Sequence, residues 1–399
     1  MSAGAMTPQR FADLWRTLAP IGHGESGYHR YAWSPPELAC RDWFAEQAGA
    51  RGMPVETDRN GNLWAWLGDP AAGDAVVTGS HFDSVPGGGG YDGPLGVVSA
   101  FLALDLLAER GLAPARPVGV AAFAEEEGSR FGIACLGSRL MCGTLAPDRA
   151  AALRDPDGVW LAEASGLDPA GLGPDPDRLA GIGAFVELHV EQGRALDRPV
   201  GVASAIWPHG RWRLEFTGQG NHAGTTRMAD RRDPMLTFAY TVLAANKEAR
   251  LRGAHATIGR ISAAPNATNA IAERVTGWLD ARAADQSTLD GLVEAVSVRA
   301  AERAGRDGTT VTVTPESVSP ATGFDAGLRD RLATLLGAPV LPTGAGHDAG
   351  VLAARVPTAM LFVRNPTGVS HAPGEYATDD DCAAGVTALA DVLAELACR

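Results

Sequence analysis

The chain has 399 residues, 45% of them hydrophobic and 20% charged, with 49 Gly and 26 Pro spread along its length. At roughly 100–200 residues per domain this allows two to four domains, and it excludes a small stapled scaffold, a disordered chain and a collagen-like repeat. A formal net charge of −13 would repel a phosphate backbone, so nucleic acid is not an expected partner.

In chain order, an amphipathic start over 11–18 leads to a helical pattern at 36–50 and to strands near 62–67 and 75–80. Residues 97–109 carry apolar groups at helical spacing, and the near-continuous apolar run 118–124 reads as a buried strand. Gly, Pro and Asp recur over 167–177, which predicts a surface loop before a strand at 185–190. Buried runs alternating with helices predict an α/β domain with a largely parallel sheet covered by helices.

The pattern then changes to strand 212–217, helix 234–250, strands 256–262 and 274–282, helix 286–304 and strand 309–314. That order is the βαββαβ unit of ferredoxin-like domains. The first style resumes with helix 326–336, a glycine-rich turn into 347–354, strand 358–363 and helix 379–397. The expected organisation is a discontinuous domain, 1–209 with 320–399, interrupted by an inserted domain at 210–319.

Cys40, Cys135, Cys142, Cys382 and Cys398 form no CxxC pair and are odd in number, so neither a zinc ribbon nor a disulfide framework is expected. The first ten residues carry no apolar stretch of the signal-peptide kind, and no run reaches the ~20 apolar residues of a membrane span. A cytoplasmic location without a membrane partner is the expectation.

Four segments place metal-type ligands just after apolar runs: Ser80-His-Phe-Asp-Ser-Val, Tyr91-Asp-Gly-Pro-Leu-Gly, Glu125-Glu-Glu-Gly-Ser-Arg-Phe and Glu187-Leu-His-Val-Glu-Gln-Gly. A fifth, Ser370-His-Ala-Pro-Gly-Glu, follows the last expected strand. In an open α/β sheet the strand C-termini meet in one crevice, so distant segments converge there. Imidazoles mixed with carboxylates suit zinc, manganese or cobalt better than calcium. Three His and two carboxylates exceed one tetrahedral shell, whereas two ions about 3.5–4 Å apart sharing a carboxylate would use all five, an arrangement suited to hydrolysis. Gly88-Gly-Gly-Tyr-Asp-Gly formally reads GxGxxG, yet no helix opens within it, and HExxH and GxSxG are absent.

With Gly220-Asn-His-Ala-Gly-Thr-Thr added, these segments resemble, in order and over nearly the whole chain, the amidase/hydantoinase/carbamoylase family of dinuclear metallohydrolases, relatives of metal-dependent aminoacylases and glutamate carboxypeptidases. The resemblance implies two divalent ions (Zn, Mn or Co), with His81 and His189 at one, Glu127 and His371 at the other, and Asp92 between them. It implies Glu126 as general base, with Glu125 a neighbour, and Asp83 as the residue that orients the His81 imidazole. His222, in the inserted domain, would donate to the developing oxyanion, usually across a dimer interface. Gln192, Asn269 and Arg282 would grip the ureido or carboxylate end of a small anionic acid, Arg282 as a bidentate clamp. Gly344-Ala-Gly-His-Asp-Ala fits a loop entering a helix N-terminus, with His347 and Asp348 shaping the pocket.

The activity so implied is hydrolysis of a C–N bond, with allantoate the first substrate. N-carbamoyl-L-amino acids, β-ureidopropionate and N-formyl or other N-acyl amino acids are alternatives. A non-catalytic metabolite-binding protein on the same fold is the alternative from another class, and a pure binder has no need of the base Glu126.

Overall fold

A computed structural model describes residues 6–398 of the chain. It divides into two compact units, one running to Ser204 and resuming at Gly323, the other spanning Ala205–Thr322.

The first unit is built on a nine-stranded mixed sheet. Its centre is four adjacent parallel strands in the order Thr358–Val363, Ile182–Val190, Ala75–His81 and Val118–Phe123. Three of these are buried at every residue and the fourth at all but one, which is why they read as continuous apolar runs. Beyond them the strands turn antiparallel, with Leu63–Leu67 and Val55–Thr57 on one side and Val200–Ile206 on the other. The expected parallel sheet is therefore parallel at its core and mixed at its margins.

Helix Pro94–Glu109 is buried almost all round because strands and the helix Asp379–Ala397 pack against it. Proline at its start needs no amide partner there. Asp379–Ala397 begins with three aspartates and a Thr378 side chain that accepts from the Asp381 amide, both favourable at the positive end of a helix. Phe11, Phe44, Phe82 and Phe101 join the aliphatic side chains of these elements in one core.

Several elements differ from expectation. Strand Val200–Ile206 was not anticipated, because its Gly, Ala and Ser positions dilute the strand pattern. Short helices at Leu136–Met141, Pro147–Ala151 and Leu161–Ser165 were likewise absent from the sequence reading. The expected loop at 167–177 ends early, since Asp175 caps a short helix, Pro176–Gly181.

The second unit has the element order strand, helix, strand, strand, helix, strand, and an antiparallel four-stranded sheet ordered His255–Ala264, Arg274–Arg282, His209–Thr217, Thr310–Ser319. Buried residues alternate strictly along Arg274–Arg282. Val275, Leu279 and Ala281 face Phe238 of helix Pro234–Arg252 and Leu289, Leu292 and Val296 of helix Gln286–Asp307, leaving the other face free of helices. The last strand continues five residues past its expected end, through Pro315, at a register shift on the sheet edge where a missing amide is tolerated. Among the described residues, no helix is long and apolar enough to cross a membrane, and all five cysteines are free.

Candidate metal centre

The four parallel strands end together, and their C-termini carry the sequence-expected ligands. His81 closes strand Ala75–His81, the three glutamates follow Val118–Phe123, His189 sits one residue from the end of Ile182–Val190, and His371 lies in the loop after Thr358–Val363.

Backbone carbonyls fix both buried imidazoles in the tautomer that metal binding requires. A carbonyl only accepts, so His81 Nδ1 donates to Asp83 O (3.0 Å) and His189 Nδ1 donates to Val190 O (2.8 Å). Each Nε2 faces Asp92 Oδ1, at 3.6 Å from His81 and 3.1 Å from His189, which leaves it as the ring atom available to a metal ion. The other Asp92 oxygen, Oδ2, lies 3.3 Å from His371 Nε2, which is 3.5 Å from Glu127 Oε2. His81, Asp92 and His189 thus form one donor group and Asp92, Glu127 and His371 a second, each with its ligand atoms within 4.8 Å of one another.

The donor chemistry fits metal ions. His81 Nε2 and Glu127 Oε1 are buried without a hydrogen-bond partner, a costly condition that a cation relieves. Burial would raise Asp92, but its three imidazole neighbours outweigh that and hold its carboxyl well below the usual range. Burial would lower His371, yet Asp92 and Glu127 prevail and raise it to about 9. Burial, reinforced by Asp92, pushes Glu127 up to about 8.

The structure also separates the three glutamates. Glu126 Oε2 points into the centre, 3.7 Å from His81 Nε2, and Cys135 Sγ donates to its other oxygen (3.3 Å). Burial drives its pKa well above the ordinary range against the pull of His81. Glu125 turns away in a left-handed conformation, φ 54°, and accepts the Arg130 and Phe131 amides at 2.9 and 2.6 Å.

Asp83 acts through both its main chain and its side chain. Its carbonyl accepts from His81 Nδ1 at 3.0 Å, while its carboxylate, 3.6 Å from that nitrogen, accepts the backbone N–H groups of Glu126 (3.1 Å) and Glu127 (3.0 Å). Its side chain holds the glutamate turn more directly than it holds the imidazole.

Gln192 Nε2 donates to Asp92 Oδ2 at 2.6 Å, so its amide oxygen, buried and without a partner, faces elsewhere. Two contributors lay inside the recognised segments without an assigned role. Glu375 accepts the Tyr91 and Asp92 amides, both at 2.9 Å. Glu187 accepts from Ser80 Oγ and the Ala349 amide, and it forms a third donor group with His189 and His347. The buried acids and their order in the motifs were the available signals.

In the second unit, His222 and Asn269 line one pocket of about 520 Å³ together with Asn221, Pro265 and Glu273. The Gly224 amide donates to His222 Nδ1 (3.0 Å), so Nε2 of the neutral ring carries the proton and can donate. Arg282 is not in that pocket. It closes strand Arg274–Arg282, whose start adjoins the pocket, so eight steps of extended chain set it roughly 26 Å away.

Comparison with known proteins assigns the chain to a family. The pattern of peptidase family M20/M25/M40 matches residues 77–395. The chain belongs to that family. It is 37% identical to an N-carbamoyl-L-amino acid amidohydrolase of Geobacillus stearothermophilus, over 96% of this chain and 98% of the relative. It is 34% identical to an allantoate amidohydrolase of Escherichia coli, over 93% of each. A crystal structure of an amidase of the hydantoinase/carbamoylase family from Burkholderia vietnamiensis superposes with a TM-score of 0.89 at 29% identity, covering 100% of both chains. The M20 assignment makes the chain a member of a metal-dependent hydrolase family, and the expected amidohydrolase class and mixed α/β fold are borne out.

Proposed function

We propose that the chain is a dinuclear metal amidohydrolase that cleaves the C–N bond of a small ureido acid, with allantoate the first candidate. The observation that carries this reading is Asp92, whose two oxygens face two separate groups of metal-type side chains. N-carbamoyl-L-amino acids are the second candidate, favoured by the 37% identical relative of that name.

His81, His189 and Asp92 would hold one divalent ion, and Asp92, Glu127 and His371 the other, with zinc, manganese and cobalt all suited to this donor set. Such ions polarise a scissile carbonyl and lower the pKa of water. Glu126 takes the proton of the attacking water on Oε2 and delivers it to the leaving nitrogen. Cys135 occupies its other oxygen, so Oε2 is the free basic atom.

Gln192 offers its unpartnered Oε1 to a ureido N–H. His222 donates from Nε2 to the developing oxyanion beside Asn269, and Arg282 binds the substrate carboxylate. Because Arg282 ends a strand whose start adjoins the pocket that His222 lines, a homodimer in which a second copy supplies one of these groups accounts for both roles. The second unit then serves as lid and dimerisation domain, and a cytoplasmic location suits a small-metabolite substrate.

The test is turnover by chelator-stripped protein reloaded with Mn²⁺, Zn²⁺ or Co²⁺ and offered allantoate, N-carbamoyl-L-amino acids, β-ureidopropionate and N-formyl amino acids. Metal-dependent release from a ureido acid is expected, and Glu126→Gln should keep its metal and lose turnover. Ligand binding without turnover of any compound would favour a binding protein instead.

A further inference from the structure

The helix-free face of the second unit's sheet carries a four-residue polar block at one end. Strand register pairs Arg211 directly with Asp280 and His209 directly with Arg282. Side chains two apart on a strand share a face, so all four stand together, opposite the buried Trp212, Leu279 and Ala281. Ser317 and Ser319 of the neighbouring strand lie opposite Arg211 and His209 and border the block.

Two guanidinium groups meet on one carboxylate here. Arg282 forks onto Asp280, Nε to Oδ1 at 2.8 Å and Nη2 to Oδ2 at 3.1 Å. Arg211 lies 3.7 Å from the same Oδ2, beyond hydrogen-bond distance, and is 60% exposed. The next arginine along the strand provides a contrast. Arg213 lies 3.1 Å from Glu215 and 3.3 Å from Glu316, two acids for one cation. Burial would raise the Asp280 carboxyl, but Arg282 and Arg211 hold it below the ordinary range, so it is an anion at neutral pH. Burial lowers His209, whose Nδ1 contacts Trp207 O at 2.9 Å, so the charge of the block comes from its arginines.

We infer that Arg211 is a second, previously unassigned carboxylate-binding residue and that Asp280 is a positioning residue that holds the Arg282 plane for the same anion. The inference rests on the amidohydrolase reading above and deepens it: the preferred substrate carries a free carboxylate at the end away from the scissile carbonyl. An incoming carboxylate meets Arg211 from its open side, beside an Arg282 whose plane Asp280 already fixes, so little rotamer freedom is lost on binding.

The experiment compares a ureido acid that the metal-loaded enzyme turns over with its carboxamide, which keeps the scissile group and lacks the charge. Arg211→Gln is expected to raise KM for the acid roughly tenfold with little change in kcat, as loss of a charge-assisted contact made equally in ground and transition states requires. The preference for acid over carboxamide should fall by a similar factor. Arg211→Lys should recover part of it, and Asp280→Asn should lower it through Arg282. Thermal unfolding of each variant separates this from misfolding. An unchanged preference in a folded Arg211→Gln enzyme, or equal losses on both substrates, overturns the inference while leaving the amidohydrolase reading intact. A wild-type enzyme that turns over no ureido acid overturns the reading itself.

Discussion

Glu375 accepts the backbone N–H of Asp92 at 2.9 Å, although 283 residues separate them. The residue that stands between the two donor groups is therefore held through its main chain by an acid near the C-terminus, which also accepts the Tyr91 amide. The Asp92 side chain is left free to face imidazoles on both of its oxygens.

Glu375→Ala leaves the Tyr91 and Asp92 amides without this acceptor and unfastens Asp92. Outer partners of this kind typically alter metal affinity by about 10–100-fold, and a loss in that range is expected. Glu375→Gln retains an acceptor oxygen and should keep most of the affinity. Competition with a chromogenic chelator measures both, and equal affinities for Ala and wild type would contradict the role.

Gly93 has φ 86°, and a Cβ placed there would lie 2.5 Å from the His81 ring. Gly93→Ala should cost roughly 1–3 kcal/mol in backbone strain and displace the imidazole, so that stability and metal content fall together. Gly111 has φ 68° with nothing within 4 Å of its would-be Cβ. Gly111→Ala should therefore lose stability while retaining full metal content. Urea unfolding with metal analysis on both variants separates strain from the clash.

Burial, reinforced by Asp83, raises the Glu125 carboxyl to about 8 from an ordinary 4.5. The folded chain thus holds this proton more tightly than the unfolded chain. The resulting stabilisation is complete below about pH 4.5 and is lost as pH rises through about 8. The metal-free protein should accordingly lose thermal stability across that interval. Glu125→Gln, which keeps an acceptor for the Arg130 and Phe131 amides, should flatten the decline, and parallel curves would show that Glu125 does not contribute to it.

Much of the centre is legible in the sequence because each ligand sits within a few residues of an apolar run, and parallel strands end on a common side. His81, Glu127 and His189 converge for that reason, and Asp92, just before helix Pro94–Glu109, and His371, in the loop after Thr358–Val363, join them. The glutamate register is legible as a motif position, but the left-handed turn that swings Glu125 aside is not, since nothing in three identical residues marks which backbone bends. A spacing of two from His81 marks Asp83 as an imidazole partner but not that its carboxylate also reaches amides on the neighbouring strand's turn. Glu375 was visible as an acid in a recognised segment, yet its contact spans most of the chain and has no local signature. The separation of Arg282 from His222 and Asn269 depends on strand register, which residue types alone do not supply.

Strand Thr358–Val363 lies between Ile182–Val190 and Val200–Ile206, pairing with both. On the ribosome those two strands emerge first, and roughly 150 residues must follow before the strand that joins them exists. At about 5–20 residues per second, the nascent sheet carries two unpaired edges for roughly 10–30 s. The interval in which the second unit is being made is thus the period when the first is most open to strand addition by another chain, and chaperone demand should peak there.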